Sequence, residues 1–134
     1  MSRNAMTSYQ TQDVTFMSAP KRLVLLYSHI LANLRKAGRA IELQDHPGQS
    51  QTLCKAREIV DELVFSLDRE VGGALGSNLL NLYEYFQHEI TQLDLHPDLG
   101  RLARLTDLVT ILHGAWEAAA EQVAEQPVPA AVNE

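Results

Sequence analysis

The sequence predicts an all-α protein, an antiparallel up-down four-helix bundle with an N-terminal arm. Four long stretches carry apolar residues at alternating three- and four-residue steps, which places those residues on one side of an α-helix. The breaks between the stretches are short, and short connections favour antiparallel neighbours. No useful length of chain alternates with period two, so a sheet is not expected. We assign residues 1–17 to the arm, 18–125 to the bundle and 126–134 to a flexible, proline-punctuated tail.

The first two helices are predicted from about Pro20 to Gln44 and from about Ser50 to Asp68. Proline suits a first helical turn because its missing N–H leaves no bond unmade there, and Ser18 supplies a cap. The first helix is expected to end at the breaker spanning residues 45–48. Its apolar stripe comprises Leu23, Leu26, Tyr27, Ile30, Leu34, Ala37 and Ile41. The stripe of the second helix comprises Leu53, Ala56, Val60, Leu63 and Leu67.

The third helix is predicted from about Ser77 to Leu95, where Pro97 ends it because the residue before a proline is pushed out of the helical region. Asp98 then caps the fourth helix. The third stripe comprises Leu79, Leu82, Tyr83, Phe86, Ile90 and Leu93. The fourth comprises Leu102, Leu105, Val109, Leu112, Trp116, Ala119 and Val123.

Composition narrows the class of protein. A chain of 134 residues with 46% hydrophobic and 21% charged residues has room for one domain with a real core. The formal net charge of -6 repels nucleic acid phosphates and anionic lipid surfaces, so neither is an expected partner. No apolar run approaches the ~20 residues that span a bilayer, and the first residues lack the apolar stretch of a signal peptide. With one cysteine and no intrachain disulfide, these features predict a cytoplasmic protein without membrane insertion.

The sequence contains no recognisable catalytic or metal-binding constellation. Four-helix bundles that hold two iron ions use Glu-x-x-His pairs, and none of the five histidines has an acidic residue three positions earlier. Cys54 has no histidine or second cysteine at ligand spacing, and beside Leu53 it is expected to be a small buried hydrophobe. We therefore expect no enzyme activity, no metal and no cofactor.

Some apolar residues exceed what one packing stripe per helix requires. They lie outside the stripes on the first, third and fourth helices. Such residues either widen the core or line a groove on the outside, and the pattern alone leaves both interpretations open. They are Val24, Leu25, Leu31, Leu80, Leu108 and Ile111.

Several segments, in order, resemble the FliS family of flagellar secretion chaperones. The segment 23–27, Leu-Val-Leu-Leu-Tyr, follows Pro20 as at the start of that family's first helix. Residues 56–67, the glycine pair at 72–73, and the leucine–tyrosine pair 82–83 are similar to its second and third helices. Val109, Leu112 and the Ala-Trp pair 115–116 are similar to its fourth, and Tyr9 stands at its N-terminal tyrosine motif. The chain departs from the family at Ala19, at residues 28–29 and at Gly114.

The resemblance implies a cytosolic export chaperone. Such a protein binds the disordered C-terminal segment of flagellin, prevents premature polymerisation and delivers flagellin to the flagellar type III export apparatus. In that family the N-terminal segment can occupy part of the binding surface and move when flagellin arrives, so Tyr9 is expected either to plug the groove or to contact flagellin directly. We expect the flagellin-binding residues to be Tyr9, Val24, Leu25, Tyr27, Leu31, Leu80, Tyr83, Leu108 and Ile111. The alternatives are a helical interaction module of another class and a histidine-phosphotransfer bundle, for which His29 is the candidate but has strongly apolar neighbours.

Overall fold

The computed structural model describes residues 19–70 and 73–125, which form four α-helices. They are α1 (Ala19–Glu42), α2 (His46–Glu70), α3 (Gly73–Leu95) and α4 (Leu99–Glu125). This confirms the predicted all-α four-helix bundle. The expected arm with Tyr9, the Ser18 cap and the tail lie outside the described residues. Within the described ranges, no helix combines the length and hydropathy needed to cross a lipid bilayer.

The order of the helices follows from which pairs pack together. α1 packs against both α2 and α4, and α2 also packs against α3. Polar contacts between α2 and α3 join Ser50 to Asp94 and Asp61 to Gln87, so residue numbers rise along one helix as they fall along the other. The two helices are therefore antiparallel, as the short connections predicted.

The second helix begins earlier than expected, at His46 rather than near Ser50. Asp45 caps it, because its Oδ1 accepts a hydrogen bond of 3.0 Å from the backbone N–H of Gly48. Pro47 then stands in the first turn, where a proline loses no helical hydrogen bond. Residues 45–48, which were predicted to break the first helix, thus initiate the second one as well. Gln44, with φ of 58°, forms the turn between them.

The predicted start of α3 is wrong, whereas the predicted cap at the start of α4 is confirmed. α3 begins at Gly73, four residues before the predicted start, and Gly73 has a φ of 68° that favours glycine. Asp98 caps α4 as predicted, since its Oδ1 accepts a 3.0 Å hydrogen bond from the backbone N–H of Arg101.

The core consists mainly of the predicted stripes. All the stripe residues of α2 are buried, as are the stripes of α1 and α3 apart from Ile41 and Leu82, which are half-buried. On α4 the burial declines along the helix: Val109 is buried, Leu112 and Trp116 are half-buried against the core, and Val123 is exposed. The second half of α4 is therefore covered on one side only.

The prediction for Cys54 is wrong. Its side chain is exposed, since one residue along a helix turns the side chain by about 100° away from buried Leu53. Cys54 lies at a pocket of about 220 Å³ between α2 and α3, lined by Leu53, Cys54, Arg57, Ile90, Thr91, Asp94 and Leu95.

A salt bridge joins α3 to α4 near the turn between them. Arg101 donates from Nε and Nη2 to the two carboxylate oxygens of Glu89, at 2.7 Å each. Glu89 is buried, and these hydrogen bonds hold its pKa below the ordinary value of 4.5. The carboxylate therefore favours the folded state above about pH 4.5, and that contribution disappears as the pH falls through the lowered pKa.

We expect Glu89→Gln to reduce thermal stability at neutral pH and to flatten the loss of stability below pH 4.5. The measurement is the melting temperature by circular dichroism across the acid range. Glu84→Gln, at an exposed position on the same helix, provides the control and should keep the wild-type profile. If Glu89→Gln loses stability below pH 4.5 as steeply as the wild type does, the Glu89 carboxylate does not make the proposed pH-dependent contribution.

Candidate functional site

α3 and α4 are consecutive in the chain but pack against each other much less than the other neighbouring pairs. Glu89 and Arg101 identify the sides on which the two helices face each other. On α3, Tyr85 and Leu82 precede Glu89 by four and seven residues and so share its side of the helix. Leu75 precedes Leu82 by another seven residues and lies on the same side. These three residues follow the edge of α3 that faces α4.

The facing edge of α4 is apolar as well. Leu108 and Leu112 follow Arg101 by seven and eleven residues, which places them on the side that faces α3. Both are half-buried against the core. Ile111 lies at the outer rim, with 68% of its surface exposed. We define the α3–α4 groove by Leu75, Leu82, Tyr85, Leu108, Ile111 and Leu112.

An aromatic cluster joins the helices on either side of the groove to α1. Tyr27 of α1 donates a 3.1 Å hydrogen bond to the Tyr83 hydroxyl, and its ring makes edge contacts with Tyr83 and Trp116 at 6.4 and 6.5 Å. Burial raises the pKa of both tyrosines, so both hydroxyls stay neutral at physiological pH. The cluster thus connects α3, α1 and α4 without adding charge.

Arg22 is buried beside this cluster, although its sequence position gave no reason to expect that. Burial lowers its pKa, and the nearby Glu62 and Tyr83 act in the opposite direction. An arginine can bury its aliphatic stem against apolar neighbours, and this allows Arg22 to lie beside the apolar stripe of α1.

Three of the residues expected to contact flagellin lie in the core of the bundle. Tyr27 and Tyr83 are fully buried and Leu31 is 4% exposed, so all three lie in the core and not on an outer face. Leu31 lies on the side of α1 that contacts α4, three residues after Ser28, which lies 2.9 Å from His113 of α4. An apolar residue outside the main stripe of α1 is buried because α1 has two packing partners.

The remaining expected contact residues do not converge on one surface. Leu108 and Ile111 lie in the α3–α4 groove. Val24 is half-buried on the α4-facing side of α1, whereas Leu25 is exposed on its outer side. Leu80 lies seven residues before Gln87, which contacts Asp61, and therefore faces α2.

Four groove residues were not among the expected contacts. They are Leu75, Leu82, Tyr85 and Leu112. The seven-residue spacing from Leu75 through Leu82 to Glu89 indicates, in the sequence itself, that these residues share one side of α3. Periodicity predicts Leu82 and Leu112 as core residues instead, because it does not show which part of a stripe lacks a neighbouring helix.

Ser28, His113 and Glu117 are connected as a serine, a histidine and a carboxylate are in a hydrolytic triad. Ser28 Oγ lies 2.9 Å from His113 Nε2, and Glu117 lies 3.7 Å from His113 Nδ1. Hydrolysis also needs donors for an oxyanion, and the backbone N–H groups around Ser28 are engaged in the middle of α1. The three side chains therefore link α1 to α4 and do not form a catalytic site.

Comparisons with known proteins identify the relatives of this chain. The model of the family described as flagellar protein FliS matches residues 2–123 of the chain. The chain is 31% identical over 117 residues to the flagellar secretion chaperone FliS of Bacillus subtilis (strain 168), covering 87% of this chain and 86% of that protein. It is 30% identical to the flagellar secretion chaperone FliSB of Pseudomonas aeruginosa, covering 84% and 93% of the two chains.

A solved structure shares the fold. The crystal structure of a flagellar chaperone from bacteria superposes with a TM-score of 0.73, at 17% sequence identity. The match covers 91% of this chain and 99% of that one. At this identity the match supports the arrangement of the helices alone.

Proposed function

The chain belongs to the flagellar protein FliS family, a family of flagellar secretion chaperones and not of enzymes, and on that premise we propose its cargo and its site. It binds the disordered C-terminal segment of flagellin in the cytosol. Binding prevents premature polymerisation, and the complex is delivered to the flagellar type III export apparatus. Both partners are part of the proposal.

The observation that carries the proposal is the α3–α4 groove. Exposed Leu75, Tyr85 and Ile111 flank half-buried leucines, and an apolar surface of this kind marks an interaction site. A helix that lays its apolar side into such a groove contacts it through residues at i, i+3, i+4 and i+7. From Leu75 to Tyr85 the groove extends about 15 Å, which matches a bound helix of about ten residues.

The groove also suits the energetics of binding a disordered segment. Ordering such a segment costs about 2–5 kcal/mol, and apolar burial returns about 25 cal/mol per Å², so about 80–200 Å² must be buried to offset that cost alone. The rim side chains supply apolar area that is in contact with water in the free chain. No convergent set of charged side chains is needed for recognition.

Of the flagellin contacts expected from the sequence, Leu108 and Ile111 are the ones we propose within the groove. Val24, Leu25 and Leu80 lie elsewhere on the bundle, and we propose that a flagellin segment longer than the groove reaches them by wrapping around the outside. The contact proposed for Tyr9, and the occupation of the binding surface by the arm, concern residues outside those the structure describes.

Titration calorimetry with a synthetic peptide of the flagellin C-terminal segment tests the proposal. We expect saturable binding with a clearly negative heat-capacity change, because apolar surface is buried. Flagellin that lacks this segment should not bind. A heat-capacity change near zero, or equal binding of the truncated flagellin, would contradict the proposed site.

A further inference from the structure

The positive charge of this acidic protein is concentrated on one helix. α1 holds five of the eleven Lys and Arg residues of the chain and one of its seventeen Asp and Glu residues, Glu42. Of the five, Arg35, Lys36 and Arg39 are exposed on the second half of α1. The rest of the chain is strongly acidic. The protein therefore has a basic surface region although its net charge is -6.

These cations share one side of α1 with an exposed leucine. Lys36 and Arg39 are three residues apart, and the backbone N–H of Leu43 donates a 3.0 Å hydrogen bond to the carbonyl of Arg39. Leu43 therefore continues the helical path one turn beyond Arg39, and its side chain is 67% exposed. We define the α1 basic face by Arg35, Lys36, Arg39 and Leu43.

Contacts within the folded chain do not explain why these three positive charges lie together. Within the described part of the chain, no carboxylate forms an ion pair with Arg35, Lys36 or Arg39. Like charges three and four residues apart destabilise a helix slightly, by a few tenths of a kcal/mol per pair. The helix dipole favours cations within the last turn only, which accounts for Arg39 but not for Arg35 and Lys36.

We propose that the α1 basic face docks an acidic protein segment that carries an apolar side chain to cover Leu43. Glutamates or aspartates of the partner would pair with Lys36 and Arg39, and burial of Leu43 would add an apolar contact. The face lies on the solvent side of α1, on a different helix from the α3–α4 groove. It also lies at the opposite end of α1 from Val24 and Leu25, which the longer flagellin segment is proposed to reach, so a second partner can bind while flagellin is bound.

The charge distribution favours an acidic segment over a nucleic acid or a membrane. Both of those are extended polyanions, and they would meet the acidic remainder of the surface together with the basic face. A short acidic segment covers the basic face alone. A symmetric dimer through this face is disfavoured as well, because it would bring the cations of the two copies against each other.

The test is fluorescence anisotropy of the full chain with a labelled acidic amphipathic peptide of about 15 residues, in which leucines at i, i+4 spacing alternate with glutamates. Reversing both charges, Lys36→Glu with Arg39→Glu, should weaken binding at least about tenfold, because two attractive pairs become repulsive. The matched control is Lys55→Glu with Arg104→Glu, which changes the net charge equally at exposed positions of α2 and α4 and should weaken binding by about twofold or less.

Three further readouts separate the outcomes. Leu43→Ser should weaken peptide binding, and all variants should keep the helical circular dichroism of the wild type. The Lys36 and Arg39 double variant should bind the flagellin C-terminal peptide unchanged, so this proposal can fail while the groove proposal stands. The proposal is overturned by absence of saturable binding, by equal weakening in both double variants, or by tighter binding to duplex DNA or to phosphatidylserine vesicles that requires Lys36 and Arg39.

Discussion

Replacing Phe86 by alanine is expected to lower the free energy of unfolding by about 3–5 kcal/mol, the largest effect on stability that we predict for a single residue. The Phe86 side chain is 1% exposed, and its ring lies 6.0 Å from that of Tyr83 and 6.4 Å from that of Tyr85. Truncation removes the apolar contacts and leaves a cavity that the surrounding helices fill only in part. Urea denaturation monitored by circular dichroism gives the change.

The matched control for this variant is Phe65→Ala. It deletes the same atoms from α2, but 64% of the Phe65 side chain is exposed. We expect a loss below about 1 kcal/mol, as for substitutions on a protein surface. Similar losses in the two variants would mean that Phe86 is not part of a close-packed core.

Ile111→Glu is expected to weaken binding of the flagellin C-terminal peptide by at least about tenfold, because a carboxylate buried in an apolar contact costs more than about 1.4 kcal/mol. Ile111 is the most exposed residue of the α3–α4 groove, so the free protein should retain its melting temperature. Calorimetry measures the affinity, and circular dichroism measures the stability.

Leu95→Glu is the control for the groove. Leu95 is 64% exposed, close to the 68% of Ile111, and it lies at the end of α3 opposite to Leu75. The same change of charge and polarity there should leave the affinity within about twofold, as expected of a residue outside the contact. Equal weakening by the two variants would place the flagellin contact elsewhere on the bundle.

The two binding surfaces differ in their expected response to salt. The groove is apolar, so its affinity should change little with ionic strength. The α1 basic face depends on exposed charges, which are screened over about 8–10 Å at physiological ionic strength. The two contacts can thus be distinguished in one protein without mutation.

The side of each helix that forms the core could be read from the sequence, because a period of 3.6 residues determines which side chains share a face. Leu53 and Val60 on α2, like Tyr83 and Phe86 on α3, are buried where the stripes predicted. The Asp98 cap could be read as well, since it depends on residues within one turn. The same local rule misplaced the start of α2, because Asp45 and Pro47 are compatible with a helix ending and with one beginning.

Only the tertiary structure shows which apolar residues are covered by a neighbouring helix, whether they lie on a predicted stripe or off it. Leu31 lies off the main stripe and is buried because α1 packs between α2 and α4, whereas Leu82 lies on a stripe and stays half-buried because α3 and α4 pack little against each other. Glu89 is buried because Arg101 meets it from α4. Periodicity assigns a residue to a side of its helix, but burial depends on whether another helix occupies that side, and this is set by the packing of the whole chain.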